Sequence, residues 1–317
     1  MELDPFLFSD EAVSEETREF NRELQEILRS MPPTHTQTPQ GVRDKRRRGG
    51  PPWGPVVHSD HAREVPIKGP GGDLVLRIID VGNSDGVYLH LHGGGWVLGA
   101  ADLSDVGNEA MVREAGVTVV SVDYRLAPEH PYPAAIDDCS TAARWLIENA
   151  ANEFGTDKLT IGGESAGANL AAATLLRIRD ETGYTGWRGA NLVYGVYMLP
   201  ASPSVRAWET DGLVLDRETM EWFGHHYVGE PRPDPSDPYF SPLFGDLSNM
   251  PPALFTIGTW DPLVDDTLFM ATRWAVSGNE TDLAIYPGGV HAFDGFPTTI
   301  GLEARRRMHE FIRRACE

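Results

Sequence analysis

The sequence predicts an α/β fold with a mostly parallel, doubly wound sheet and an antiparallel edge. Two patterns carry that prediction. The first strand-like segments follow one another with only short connections, and afterwards strand and helix alternate. In addition, the glycine-rich stretch Gly163-Glu164-Ser165-Ala166-Gly167 lies where an apolar strand passes directly into an Ala/Leu-rich helix.

Composition bounds what such a fold can do. At 317 residues with 41% hydrophobic and 9% aromatic side chains, the chain can build a sizeable core. Its formal charge of -20 repels phosphate backbones and anionic lipid surfaces, so neither nucleic acid nor stable membrane insertion is expected. Cys139 and Cys316 are too few and too far apart to form a disulfide framework, which favours a reducing compartment. The N-terminus MELDPFLFSDEAVSEE lacks a basic segment ahead of a long apolar run, and no stretch has the length of a membrane span. A soluble, cytoplasmic protein is the expectation.

In chain order, Ser9 or Asp10 is positioned to cap a helix running to about Ser30, with Val13, Phe20, Leu24, Ile27 and Leu28 on one stripe. From Met31 to Pro55 the chain is rich in Pro, Gly and Thr. The basic run Arg43 to Gly50 within it is expected to be a mobile loop screened by the protein's own carboxylates. Strands are predicted at Val56 to Pro66, Asp73 to Val81, Val87 to Leu91, Val117 to Val122, Leu159 to Gly162, Leu192 to Tyr197, Ala253 to Ile257 and Leu283 to Tyr286. Helices separate the later ones, at about Asp105 to Glu114, Ala134 to Glu153, Ala166 to Asp180, Pro262 to Val276 and Pro297 to Ala315. Residues 1–55 and about 200–250 stand outside this alternation. The second of these carries a helix near Asp216 to Val228 and then the irregular PRPDPSDP. An insertion of this kind is expected over the carboxyl ends of the strands, where ligands bind.

The chemistry centres on Ser165. Gly163 and Gly167 lack a Cβ, so the strand can turn sharply into the helix and leave the serine hydroxyl exposed above a helix N-terminus. The G-x-S-x-G pentapeptide is weak evidence alone, because glycine is common here. A second feature is His92-Gly93-Gly94-Gly95-Trp96, directly after the strand Val87 to Leu91, where consecutive glycines let backbone N–H groups turn toward a ligand. Read from the residues alone, that turn is equally a flexible hinge or a phosphate cradle, although no G-x-x-x-x-G-K-[ST] occurs. Among the histidines, His291 lies on a tight loop after Gly288-Gly289, with His130 as its nearest rival. His225 and His226 are neighbours on a helix and diverge, so they do not suggest a metal pair. Asp261 ends a strand, and Asp265 and Asp266 follow it as rivals whose ordinary role is helix capping.

Taken together, HGGGW at 92–96, YRLAPEHPYPAAIDD at 124–138, GESAGANL at 163–170, SPLFGDLSNMPPALF at 241–255, DPLVDD at 261–266 and HAF at 291–293 resemble the hormone-sensitive-lipase-like carboxylesterases. The resemblance implies an α/β-hydrolase fold with a mostly parallel eight-stranded sheet flanked by helices. Residues 56–199 and 251–317 would form the catalytic domain, with residues 1–55 and 200–250 as the two parts of a helical cap. It further implies Ser165 as nucleophile, Asp261 as acid and His291 as base, in the chain order this fold uses. Gly93, Gly94 and Ala166 would be oxyanion donors, supported by His92, Gly95 and Glu164. Glu164 replaces the commoner Asp before the serine, and Ala168 a commoner Gly. Trp96, Met198, Trp222 and Phe293 are candidate walls of the substrate pocket. No cofactor or metal is implied, the partner is a small-molecule ester, and a homodimer is compatible with the reading. The expected reaction is hydrolysis of short- to medium-chain esters. Amide, formamide or carbamate hydrolysis, or a receptor on the same fold, stand as alternatives.

Overall fold

The computed structural model describes residues 3–80, 82, 84–209 and 213–317. Val81, the last residue of one predicted strand, lies outside them. The described strands are β1 (Ala62–Gly69), β2 (Gly72–Ile79), β3 (Val87–Leu91), β4 (Thr118–Asp123), β5 (Leu159–Glu164), β6 (Gly189–Val193), β7 (Ala253–Trp260) and β8 (Thr281–Val290). They form one eight-stranded sheet in the order β1-β2-β4-β3-β5-β6-β7-β8. β1 and β2 pair antiparallel, as do β2 and β4, and every pairing from β4 across to β8 is parallel. The carboxyl ends of β3, β5, β6, β7 and β8 therefore open on one edge, the edge where α/β sheets carry their sites. β3 is buried along its whole length, as expected of a central parallel strand with both faces covered. Pro66 and Pro287 fall in the outermost strands β1 and β8, where a missing N–H costs no ladder bond.

The helices are α1 (Glu15–Arg29), α2 (Pro39–Arg48), α3 (Asp105–Ala115), α4 (Ala134–Phe154), α5 (Ala166–Thr182), α6 (Pro203–Ala207), α7 (Arg217–Tyr227), α8 (Val264–Val276) and α9 (Thr299–Cys316). The predicted start of α1 at Ser9 or Asp10 is corrected to Glu15. Ser14 Oγ accepts the Thr17 N–H at 3.1 Å, and two short 3₁₀ turns precede it. Its apolar stripe finds a partner at Gly288 in β8: a Cβ there would strike Val13 Cγ1 at 2.5 Å, and Asn21 Nδ2 donates to the Gly288 carbonyl at 2.8 Å.

The basic run expected to be a mobile loop is instead helix α2, begun by the Thr38 cap, with Pro39 in its first turn and Gly49 just beyond its end. The expected screening by carboxylates does occur. Arg43 pairs with Glu129 through both terminal guanidinium nitrogens at 2.9 Å, and Arg47 lies 3.1 Å from Asp102. Arg43 also donates to the Val97 carbonyl at 2.8 Å and the Ala127 carbonyl at 2.6 Å, tying α2 to the chain just after the triple-glycine turn.

Two strands are displaced from their predicted positions. The first begins at Ala62 rather than Val56, because the preceding segment turns away to bond elsewhere, the Ser59 N–H going to Asp105 at 2.8 Å. β6 ends at Val193, not Tyr197. Tyr194 takes φ 35°, and the N–H groups of Tyr197 and Met198 donate to Asp266 Oδ1 at 2.7 and 2.9 Å instead of to a neighbouring strand. Asp266 is 1% exposed, and burial raises its pKa from an ordinary 3.8 to about 6.

Two outcomes follow from these contacts. Arg43→Ala should cost about 2 kcal/mol, read as a lowered urea midpoint, because it leaves buried carbonyls unpaired. For Asp266 the folded state holds its proton more tightly than the unfolded chain, so this group's contribution falls as pH rises from about 4 to about 6. Asp266→Asn keeps an acceptor for the two amides and removes the titration. The stability gain of wild type over this variant on going from pH 6.5 to 4.5, measured by urea unfolding, is the expected sign.

Candidate active site

Ser165 stands between β5 and α5 with φ 58° and ψ -118°, a conformation few residues other than glycine adopt. Its surroundings explain how it is held. The Ser165 N–H donates to the Val193 carbonyl at the end of β6 at 2.9 Å. A Cβ on either Gly163 or Gly167 would collide with the Leu91 carbonyl at the end of β3, so both glycines are needed for β3 and the bend to pack together. Ala166 opens α5, and its N–H is one of those a helix leaves unpaired at its start.

The other two polar residues come from neighbouring strand ends. Asp261 follows β7, is fully buried, and accepts the Leu263 N–H on Oδ1 at 2.9 Å. His291 follows β8 and is 8% exposed. Its Nδ1 lies 2.8 Å from Asp261 Oδ2 and its Nε2 3.0 Å from Ser165 Oγ. A carboxylate can only accept, so Nδ1 carries the proton and donates to Asp261. Nε2 is then left to accept the Ser165 hydroxyl proton. The rivals lie elsewhere: His130 is exposed, Asp265 accepts the Ser204 N–H at 2.8 Å, and Asp266 holds the chain after β6.

The triple-glycine turn leads from β3 to the same place. A Cβ on Gly93 would stand 2.8 Å from the Glu164 carbonyl and 3.6 Å from Ser165 Cβ, so the turn lies against the bend. Gly94 has φ 125° and Gly95 φ 60°, and Gly94 O accepts the N–H groups of Val97 and Leu98. Gly95 is pressed against the Phe223 ring of α7. His92 stacks on Tyr124 with ring centroids 4.1 Å apart, while its Nδ1 lies 3.0 Å from the Gly93 carbonyl. Burial lowers its pKa to about 4, so it is a neutral buttress at pH 7. Glu164 Oε2 lies 3.2 Å from His90 Nε2, and His90 Nδ1 in turn meets Ser121 Oγ at 2.8 Å and Asn108 Nδ2 at 3.2 Å.

The residues named as pocket walls are placed unequally. Trp96 and Phe293 are each 2% exposed: Trp96 stacks on Tyr227 at 4.2 Å, and Phe293 packs against Tyr286 at 5.1 Å. They offer a ligand little surface. Met198 and Trp222 are half-buried, Trp222 edge-on to Phe223 at 5.3 Å. Sequence reasoning passed over Phe223, His90 and Tyr194. His90 was legible in principle, since it is a polar residue within an otherwise apolar strand that leads into the glycine turn. Among the described residues, no group of three or more His, Cys, Asp or Glu side chains could hold a metal ion, and no helix is long and apolar enough to cross a membrane.

Residues 88–295 match the alpha/beta hydrolase fold family. Over 248 residues the chain is 34% identical to a carboxylic ester hydrolase of Mycobacterium tuberculosis, covering 76% of this chain and 66% of that relative's length. It is 37% identical over 242 residues to an arylesterase of Saccharolobus solfataricus, covering 75% of this chain and 78% of the relative. Of solved structures, an esterase of Pyrobaculum calidifontis aligns with a TM-score of 0.81 at 31% identity, over 92% of this chain and 97% of that one. The family match runs from β3 to just beyond His291 and so takes in the serine bend, the glycine turn and both of the serine's polar partners. The chain thus belongs to the α/β-hydrolase fold family, among its hormone-sensitive-lipase-like carboxylesterases.

Proposed function

We propose that this protein is a serine carboxylesterase that hydrolyses short- to medium-chain esters in two acyl-transfer steps. The observation that carries the proposal is the continuous path from Ser165 Oγ through both nitrogens of His291 to the buried Asp261. In the first step His291 Nε2 takes the hydroxyl proton as Ser165 Oγ bonds to the ester carbonyl carbon, and the carbonyl oxygen becomes an oxyanion. The N–H groups of Gly93, Gly94 and Ala166 receive that charge at the N-terminus of α5. Collapse of the adduct expels the alcohol, which takes the proton back from Nε2. Water, deprotonated by His291 in its turn, then attacks the acyl-serine and releases the acid. Asp261 keeps the proton of the neutral ring on Nδ1 and stabilises the imidazolium without taking its proton.

In this reading residues 1–55 and 200–250 form a cap over the catalytic domain of residues 56–199 and 251–317. Two contacts support it: α7 packs on Gly95, and α2 is tied to Val97 and Ala127. Phe223 narrows the space over the glycine turn, which favours modest acyl groups. The relatives' names, carboxylic ester hydrolase and arylesterase, support ester hydrolysis itself. The complete serine-imidazole-carboxylate path speaks against a receptor without turnover. The acidic surface favours a neutral ester, and the two buried free thiols suit a reducing cytoplasm. A homodimer would leave this site within each subunit.

The test is direct. Ser165→Ala should lower turnover of p-nitrophenyl acetate at least about 1000-fold with the fold intact by circular dichroism. Turnover near wild type would overturn the proposal, and faster cleavage of p-nitroacetanilide than of p-nitrophenyl acetate would favour an amidase. Gly94→Ala should lower kcat about 100- to 1000-fold, because a methyl group at φ 125° collides with the Leu98 carbonyl and displaces an oxyanion donor. A stopped assay with acyl chains of graded length checks the size limit.

A further inference from the structure

Tyr194 touches the catalytic base directly, yet neither its sequence context nor the family's motifs give it a role. It is 3% exposed, immediately follows the Val193 carbonyl that receives the Ser165 N–H, and takes the sparsely populated φ 35°. That backbone conformation ends β6 and turns the side chain toward β8. Its ring centroid lies 4.7 Å from that of His291 at an interplanar angle of 60°, and 6.3 Å from that of Phe293. Its hydroxyl donates to Asp294 Oδ1 at 2.5 Å, three residues beyond the histidine. Ala292, between the two contacts, is itself left-handed at φ 62°. The histidine loop is thus held at two points by one side chain. Asp261 and Ser165 hold the two nitrogen-bearing edges of the imidazole, and the Tyr194 ring is what lies against its face.

We infer that Tyr194 is the positioning residue for His291, its ring setting the tilt of the imidazole toward Ser165 and its hydroxyl clamping the loop through Asp294. The inference rests on the triad reading above. The carboxylates around the phenol are Asp294 from the same loop, Glu164 from the serine bend and Asp261 from the end of β7; Arg305 of α9 also faces Asp294, and His291 lies against the ring. The hydroxyl donates to Asp294, the acceptor it reaches. Losing the ring removes the wall that keeps Nε2 in line with Oγ. A misplacement of about 1 Å costs on the order of 100-fold in rate, and it falls on kcat rather than on binding.

The experiment measures Tyr194→Leu, Tyr194→Phe and Ser165→Ala beside wild type with p-nitrophenyl acetate across pH. Tyr194→Leu should lower kcat about 10- to 100-fold with KM within about threefold, and should move the acid limb of kcat/KM by about half a pH unit or more. Tyr194→Phe keeps the ring. It should restore the wild-type acid limb and all but a few-fold of kcat. If Tyr194→Leu does not fold by circular dichroism, Tyr194→Met carries the same expectation. A ringless variant with wild-type kcat and acid limb overturns the inference, as does a Phe variant as damaged as the ringless one. Wild-type turnover in Ser165→Ala would instead overturn the triad, whereas an inert Ser165→Ala beside an unperturbed Tyr194→Leu removes only the role of Tyr194.

Discussion

The whole site depends on one strained residue. Ser165 holds a backbone conformation that costs about 1 to 3 kcal/mol for a side chain with a Cβ, and it persists because its neighbours allow no other. β6 takes its N–H through Val193, and β3 presses its Leu91 carbonyl into the space left by Gly163 and Gly167. The bend is therefore held in a slot between two central parallel strands. Its own folding energetics would not maintain it. The helix that follows begins at Ala166, so its unpaired N–H groups lie beside the serine and favour negative charge there.

Because β3, β5, β6, β7 and β8 run parallel, their carboxyl ends meet along one edge, and each places a different group there. β5 presents Ser165, β3 the glycine turn, β7 the fully buried Asp261, and β8 His291. β6 holds the bend through the Val193 carbonyl, and Tyr194, the residue after it, lies against His291. The outer elements brace these loops from behind. α1 closes on Gly288 just before His291, and α2 grips Val97 just after the glycine turn. The N-terminal segment is thereby coupled to both halves of the site, although it supplies no group to the serine-imidazole-carboxylate path.

Much of this was legible in the residues. β3 and the cores of α4 and α5 follow from apolar runs and their bounding glycines and prolines, and they fall at or within a residue or two of the predicted bounds. The order of the serine, aspartate and histidine blocks anticipated which side chains the fold brings together. α2 was misjudged because its basic composition masks a good helix: a Thr cap, Pro in the first turn and Gly after the last residue outweigh a run of like charges once carboxylates from other loops face it. β6 was drawn too far because Tyr194 to Tyr197 has strand-like composition. Its amides are claimed by Asp266, some 70 residues downstream in the chain, and no local pattern reports that.

The sequence by itself determined the alternation of strand and helix, the two glycine-dependent turns and the placing of a serine in the second of them. These are local matters of periodicity, missing Cβ atoms and residue chemistry, written in short stretches of chain. Only the tertiary structure decided that Trp96 and Phe293 are buried packing, that Phe223 presses on Gly95, and that Tyr194 lies against His291. Those outcomes depend on which loop ends the sheet order makes neighbours. Residues far apart in the chain acquire a shared surface only after the strands have paired.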